Sequence, residues 1–305
     1  MKAFVKTSKD NESFEFMEVT RPEANEDEIL VKIMAIGVGI HDEYFHSADV
    51  DYPYVIGIEG AGIIEAVGQE VKDYKKGDRI AFISAMQPKG GTWAQYAVID
   101  KDSLILHIPN QMTFEQASAF PVAGNTVLKA LAGAALIPGQ NLFISGGAGA
   151  LGTLLIQIAK ERGFNVVASA SKQNHDYMKS LGAKHTVDYH DEDWQSQASE
   201  FVPGGFDAVI AIHPGTPIEC QPILKDGGVL VAVSGDSFTP EREIILKGVF
   251  NDLDVKKELE LLLNQIIAGK INQTVEKVYP FTEAFDALSQ VQTRHTRGKI
   301  VLTLQ

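Results

Sequence analysis

Three glycines hold the spacing best suited to chemistry in this chain: Gly147, Gly149 and Gly152, in the stretch NLFISGGAGALGTLLIQIAK. They fit G-x-G-x-x-G, and their flanks supply the context that pattern needs. Leu142, Phe143 and Ile144 form a short apolar run of the kind that makes a buried strand. Leu151, Leu154, Leu155, Ile158 and Ala159 then recur at helical spacing. Without side chains, Gly147 and Gly149 let the backbone approach a pyrophosphate. The helix that opens at Ala150 and Leu151 turns unpaired N–H groups and a partial positive charge toward it. Gly152 falls where a helix must lie close against a strand. The chemistry implied is the binding of a dinucleotide.

The next strand indicates which dinucleotide. A carboxylate roughly 20 residues past the glycine loop usually holds the ribose hydroxyls of NAD, whereas a basic environment there accommodates NADP. Here NVVASASKQN ends in Ser171 and Lys172, a hydroxyl donor and a cation, with no Asp or Glu. The expected cofactor is therefore NADPH. Other reactive residues are sparse. The single cysteine, Cys220, excludes an intrachain disulfide and a cysteine metal cluster. His41, Asp42 and His46 share one loop, but a zinc site needs three or four ligands that converge.

The elements that position these residues fall into two patterns. From Met1 to about Pro109 the chain is short and period-two, with strands expected at Ala3–Lys6, across EILVKIMAIGV, and at Gly62–Val67, Arg79–Ile83 and Ala94–Ile99. At Thr113 the period changes: Thr113 and Gln116 make a capping box before an apolar helical run through Ala119 and beyond, ended by Pro138-Gly139. Strand and helix then alternate through Asn165–Ser169, Asp176–Leu181, His185–Asp188, Asp193–Phe201, Phe206–Ile212 and Gly228–Ser234. That alternation predicts an α/β fold with a doubly wound parallel sheet and ligands at the carboxyl ends of its strands. Glu243–Phe250 reads as a further strand whose apolar edge invites pairing with a second copy, so a homodimer is expected. Val255–Ala268 and Thr282–Val291 read as helices, and Lys299–Leu304 as a strand returning to the first domain. The expected boundaries are a β-rich domain at 1–115, completed by 252–305, and a dinucleotide-binding domain at 116–251.

Composition narrows the partners. With 305 residues, 45% of them hydrophobic, the chain buries a substantial core. Lys+Arg 27 against Asp+Glu 40 gives a net charge of −13, which repels nucleic acid and acidic membrane surfaces. No apolar run has the length of a membrane span, and MKAFVKTSKD carries no signal-peptide apolar region, so a cytoplasmic protein is expected.

Several blocks together carry a resemblance: GVGIHDEYFHSA, YVIGIEGAGIIEAVGQEVKDYKKGDRIAF, GGTWAQYAVI, PVAGNTVLKAL, the glycine loop and RHTRGKIVL. Over nearly its whole length the chain resembles the medium-chain dehydrogenase/reductase superfamily, specifically its zinc-independent quinone oxidoreductase (zeta-crystallin-like) branch. The resemblance implies a GroES-like β-rich domain built from both termini, a Rossmann domain in the middle and a cofactor cleft between them. At the three positions that match the catalytic zinc ligands of the related alcohol dehydrogenases stand Gly39, Ile58 and Val122, none able to ligate. The cysteine-rich lobe is missing between Phe82 and Trp93.

Without a metal to polarise an alcohol, hydride delivery to a quinone or an α,β-unsaturated carbonyl is the expected reaction. Tyr44 matches a tyrosine that lines the substrate cleft in this branch, whereas Gly39 replaces the expected asparagine. Tyr52 and Tyr54, on the neighbouring segment, are further candidate donors to the acceptor oxygen. The same matching implies Thr126 near the nicotinamide and Tyr189 and Arg294 on the 2′-phosphate side, with His175 where a lysine is usual. It also implies that the loops Ile212–Gly215 and Ser234–Asp236 flank the nicotinamide half. Glu59 reads as a buried structural carboxylate. Two alternatives stay open: an enoyl-thioester reductase, which needs a basic entrance for coenzyme A, and a non-catalytic NADPH-binding protein.

Overall fold

The computed structural model describes residues 1–9, 14–43, 50–84, 87–249 and 252–304. Two compact units result, one of Ala123–Glu258 with Gly269–Thr274, the other of Met1–Val122, Leu259–Ala268 and Val275–Gln305.

The first is built on a six-stranded, wholly parallel sheet: β1 (Asn141–Ser145), β2 (Asn165–Ser169), β3 (His185–Val187), β4 (Phe206–Ala211), β5 (Leu224–Ala232) and β6 (Ile245–Gly248). Their spatial order is β3-β2-β1-β4-β5-β6. The chain winds outward from β1 to β3, then returns to place β4 on the other side of β1. This reversal makes a crevice at the carboxyl ends of β1 and β4, which is where a doubly wound sheet binds its ligand. The strands can be parallel because they are apolar on both faces: Phe143, Val167, Phe206 and Val209 are all fully or almost fully buried. Each large side chain so buried contributes about 1.5–3 kcal/mol. At the outer edge Ile245 of β6 remains 49% exposed.

The second unit holds a seven-stranded and a three-stranded sheet. Glu28–Val38 is the central strand of the larger, pairing antiparallel with Lys299–Thr303, Glu59–Val67 and Tyr96–Asp100. The last strand thus does return to the N-terminal part of the chain. The smaller sheet joins Lys2–Lys6 to Glu15–Glu18 and Tyr54–Val55. Phe4, Phe14, Trp93 and Phe281 interlock edge to face in the core.

Some boundaries differ from the pattern reading. The helical run after Thr113 is two helices, Phe114–Ser118 and Pro121–Ala134. Pro121 has no N–H to give and biases Phe120 away from helical geometry, so it starts a new helix rather than continuing the old one. The capping box forms: Thr113 Oγ1 accepts from the Gln116 N–H, and Gln116 Oε1 accepts from the Thr113 N–H, both at 3.2 Å. A strand at Val275–Pro280 pairs with Lys299–Thr303 where no element was expected.

Candidate cofactor and substrate site

The turn after β1 is shaped by what a side chain would strike. A Cβ at Gly152 would lie 2.2 Å from the Gly146 carbonyl oxygen and 2.5 Å from the Gly147 backbone, so only glycine lets the helix Ala150–Glu161 seat on the turn. A Cβ at Gly147 would meet Met178 Sδ at 2.6 Å and Ala168 Cβ at 2.9 Å, and the Gly147 N–H donates to the Ser169 carbonyl at 2.8 Å. Packing against β2 and the helix His175–Leu181 therefore accounts for that glycine. Gly149 is different. Its Cβ would meet only the Gly146 oxygen, at 3.8 Å, and it caps the helix with no side-chain acceptor. The N–H groups of Ala150, Leu151 and Gly152 open the helix without a partner inside it, the kind of donor set that is able to hold an anion. His213, after β4, comes close to the same turn: a Cβ on Gly146 would be 3.0 Å from its Nε2.

At the end of β2, Ser171 Oγ accepts from Asn174 Nδ2 at 3.0 Å and keeps its own proton to donate. The Lys172 side chain is exposed, while its backbone N–H donates to Asp188 Oδ2 at 2.9 Å. Sequence reasoning passed over Asp188, which follows β3. Burial works to raise its pKa, but hydrogen bonds from His190 and Lys172 outweigh it and hold the carboxyl below the usual range. Tyr189 is half exposed and its ring lies 4.1 Å from that of His190. His175 Nε2 is 3.3 Å from the Ala170 carbonyl, so its ring is tied to the backbone. Thr126 lies in the helix Pro121–Ala134 of this unit. Asp236 joins the two loops after β4 and β5: Oδ1 accepts from the Gly215 N–H at 2.9 Å, and Ser234 donates to the other oxygen.

The β-rich unit holds the remaining candidates. Tyr44 and His46 lie outside the described residues. The Tyr52 hydroxyl is buried with no hydrogen-bond partner among the described residues. Tyr54 is not available in the same way, because its hydroxyl donates to the Gln87 carbonyl at 2.8 Å and burial pushes its pKa up to about 12. Arg294 belongs to this unit, and its charge, after burial, helps to hold His41 below its ordinary pKa.

Around the three positions matched to zinc ligands sits a buried ionic cluster. Glu59, 1% exposed, accepts from Lys299 Nζ at 2.5 Å and from the Val122 N–H at 2.8 Å. Asp42, 3% exposed, accepts from the Gly39 N–H at 2.9 Å and Trp93 Nε1 at 3.0 Å. Burial pushes Asp42 up to about 7, with the Lys299 charge pulling the other way. Gly39 and Val122 thus give backbone donors to carboxylates, while Ile58 is buried apolar packing. Among the described residues no three His, Cys, Asp or Glu side chains converge as metal ligands. Cys220 is buried, and burial pushes its thiol far up, away from nucleophile chemistry.

The chain matches the family of the alcohol dehydrogenase GroES-like domain over residues 25–110 and that of a zinc-binding dehydrogenase over residues 181–302. It is 31% identical, over 92% of its length and 73% of the relative's, to a chloroplastic NADPH-dependent alkenal/one oxidoreductase of Arabidopsis thaliana. It is 29% identical to a 2-methylene-furan-3-one reductase of Solanum lycopersicum, over 93% of this chain and 74% of the other. Among solved structures, a quinone oxidoreductase from Coxiella burnetii superposes with a TM-score of 0.89 at 27% identity, covering 100% of this chain and 99% of that one.

Proposed function

The chain belongs to the medium-chain dehydrogenase/reductase superfamily, among its quinone and alkenal/one oxidoreductases, and from that premise we propose an NADPH-dependent reductase of conjugated carbonyls or quinones that works without zinc. The observation that carries this reading is the open glycine turn at the switch point of the parallel sheet, with Ser171-Lys172 instead of a carboxylate just after β2. In this reading Ala150, Leu151 and Gly152 hold the diphosphate with backbone N–H groups, and Gly149 leaves it room. Ser171 and Lys172 hold the 2′-phosphate, with Tyr189 and Arg294 as further contacts and Thr126 toward the nicotinamide. NADPH, when bound, supplies the hydride.

The protein's part is then to orient the acceptor and stabilise the negative charge that grows on its oxygen. Tyr52 is the described residue best fitted to donate there, since its buried hydroxyl has no hydrogen-bond partner among the described residues. A phenol of that kind suits a neutral, already electrophilic acceptor. The alkenal/one and furanone relatives favour the conjugated carbonyl over the quinone, in line with Gly39 standing where the quinone branch carries asparagine. Steady-state turnover of NADPH with a panel of enals, enones and quinones tests the reading. NADPH binding with no turnover of any acceptor would leave the non-catalytic alternative in its place.

Zinc independence rests on residue chemistry, because neither a glycine, an isoleucine nor a valine side chain offers a lone pair. Purified protein is expected to contain no stoichiometric zinc and to keep its activity in chelator. One zinc per chain by elemental analysis would overturn this. The edge strand β6, with Ile245 half exposed, supports the homodimer as part of the same proposal. Light scattering at micromolar concentration should give twice the 33.2 kDa chain mass, and a monomeric mass rules the dimer out.

A further inference from the structure

Next to Lys172 stands a second group able to carry positive charge that plays no part in the reading above. Asp188 binds three donors at once: the Lys172 N–H on Oδ2 at 2.9 Å, and on Oδ1 the His190 N–H at 3.0 Å and His190 Nδ1 at 2.7 Å. One carboxylate thereby ties the turn after β2 to the segment after β3 and fixes the His190 ring against both. With Nδ1 held by a carboxylate, the imidazole is oriented, and Nε2 is left as a second donor whenever the ring carries a proton on both nitrogens. The His190 side chain is 58% exposed, against 13% for Asp188, so the ring is presented outward and its anchor is not. The Tyr189 ring lies 4.1 Å from it at 33° and limits its swing.

We propose that His190 is a proton-dependent ligand of the cofactor's 2′-phosphate, so that the preference for NADPH over NADH is partly set by pH. The proposal rests on the NADPH reading of this site and deepens it. The charged and titratable groups on its own segment are Asp188, Tyr189, Asp191, Glu192 and Asp193, and on the segment after β2, which Asp188 ties to it, they are Lys172, His175 and Asp176. Asp191 and Asp193 both accept from Gln197 Nε2, at 3.3 and 2.8 Å, and so turn toward the helix Trp194–Phe201. His175 is tied to Ala170. Lysine side chains in general stay charged through the neutral range, whereas imidazoles in general titrate near 6.5, so a pH response in that range points to an imidazole.

The phosphate titrates too, near pH 6, and loses charge as pH falls. That change is common to wild type and variant, so their difference isolates the imidazole. The ratio of Kd for NADH to Kd for NADPH is measured by calorimetry at pH 6.0 and 8.5, for wild type and His190→Gln. One charge-assisted contact predicts a ratio about three- to ten-fold higher in wild type at pH 6.0. At pH 8.5, about two units above the ordinary imidazole value, the two proteins should agree within about two-fold. The NADH Kd serves as the folding control and should be the same in both. If the variant loses NADH binding as well, His190→Asn takes its place under the same criteria. Equal ratios at pH 6.0, or a gap just as large at pH 8.5, overturn the proposal while leaving the NADPH reading intact. A wild type without any preference for NADPH at either pH overturns that reading itself.

Discussion

Lys299→Met is expected to destabilise the β-rich unit by about 3–5 kcal/mol, because it leaves a buried charge uncompensated. Lys299 is 8% exposed, and its amine is 2.5 Å from Glu59 Oε1. Glu59 is itself 1% exposed and, among the described residues, has the Val122 N–H as its further donor. With the amine gone, the Glu59 carboxyl keeps its burial and loses its ionic partner. Asp42 suffers as well, since Lys299 is the charge that opposes its upward shift through burial, so the variant should push the Asp42 carboxyl above about 7. Relief by rearrangement is limited. A Cβ on Gly37 would already lie 2.8 Å from Glu59 Oε1 and 2.3 Å from the Ser118 carbonyl, which shows how closely backbone surrounds the carboxylate. Urea unfolding followed by Trp93, fully buried in this unit, measures the loss, with Trp194→Phe as background so that one indole reports. Adding Glu59→Gln to Lys299→Met should recover part of it, since the stranded charge is then gone. A loss below about 1 kcal/mol, or a double variant less stable than the single one, would mean that the pair is solvated.

The fold was largely legible where one pattern decides the answer. Apolar runs such as Leu142–Ile144 must be buried on both faces, and repeated alternation with helices leaves a parallel sheet as the solution, which is the arrangement found. Thr113 and Gln116 announced a helix start through a local hydrogen-bond pair, and the pair forms. Length is what failed there, because a single proline at 121 divides a pattern that hydrophobic spacing alone would continue. The strand Val275–Pro280 was missed for a different reason: most of its residues are exposed, so alternation left no signal and its pairing with Lys299–Thr303 is a tertiary fact.

The site was legible to the extent that its chemistry is local. Gly147, Gly149 and Gly152 were found by spacing, yet spacing could not separate their tasks: Gly147 and Gly152 fit against protein, whereas Gly149 alone leaves open room. Asp188 went unread, and Asp42 was weighed only as a metal ligand beside His41 and His46, because each acts on residues distant in sequence. Asp188 reaches back to Lys172 across a whole helix, and Asp42 is satisfied by Trp93 from another strand's approach. The tyrosines show the same limit from the other side. Tyr52 and Tyr54 look equivalent in DYPYV, but one hydroxyl is committed to Gln87 and the other is not.

Lys172→Glu is expected to lower kcat/KM for NADPH by about ten- to a hundred-fold and to leave NADH equal or better, which would reverse the preference. The side chain is exposed just after β2, while the backbone is fixed: its N–H donates to Asp188 at 2.9 Å and its carbonyl accepts from the His175 N–H. Because those backbone bonds survive the substitution, the turn should hold its place and the change reads charge alone. On the proposed reading the variant removes one charge-assisted hydrogen bond to NADPH, worth about 1.5–3 kcal/mol, and sets a carboxylate against the 2′-phosphate. For NADH the same carboxylate faces ribose hydroxyls, the partner such an acid has in NAD-binding sheets of this topology. Asp188 does not fill that role already. Both its oxygens accept from the Lys172 and His190 segments, so it has little left to offer a ribose. His175, where a lysine is usual, limits how strong the wild-type preference becomes, since its ring nitrogen is turned to the Ala170 carbonyl. Measuring kcat/KM for both cofactors with one conjugated enone decides the matter. A wild type that uses NADH as well as NADPH, or a variant that retains the preference, would show that Lys172 is a solvated surface charge.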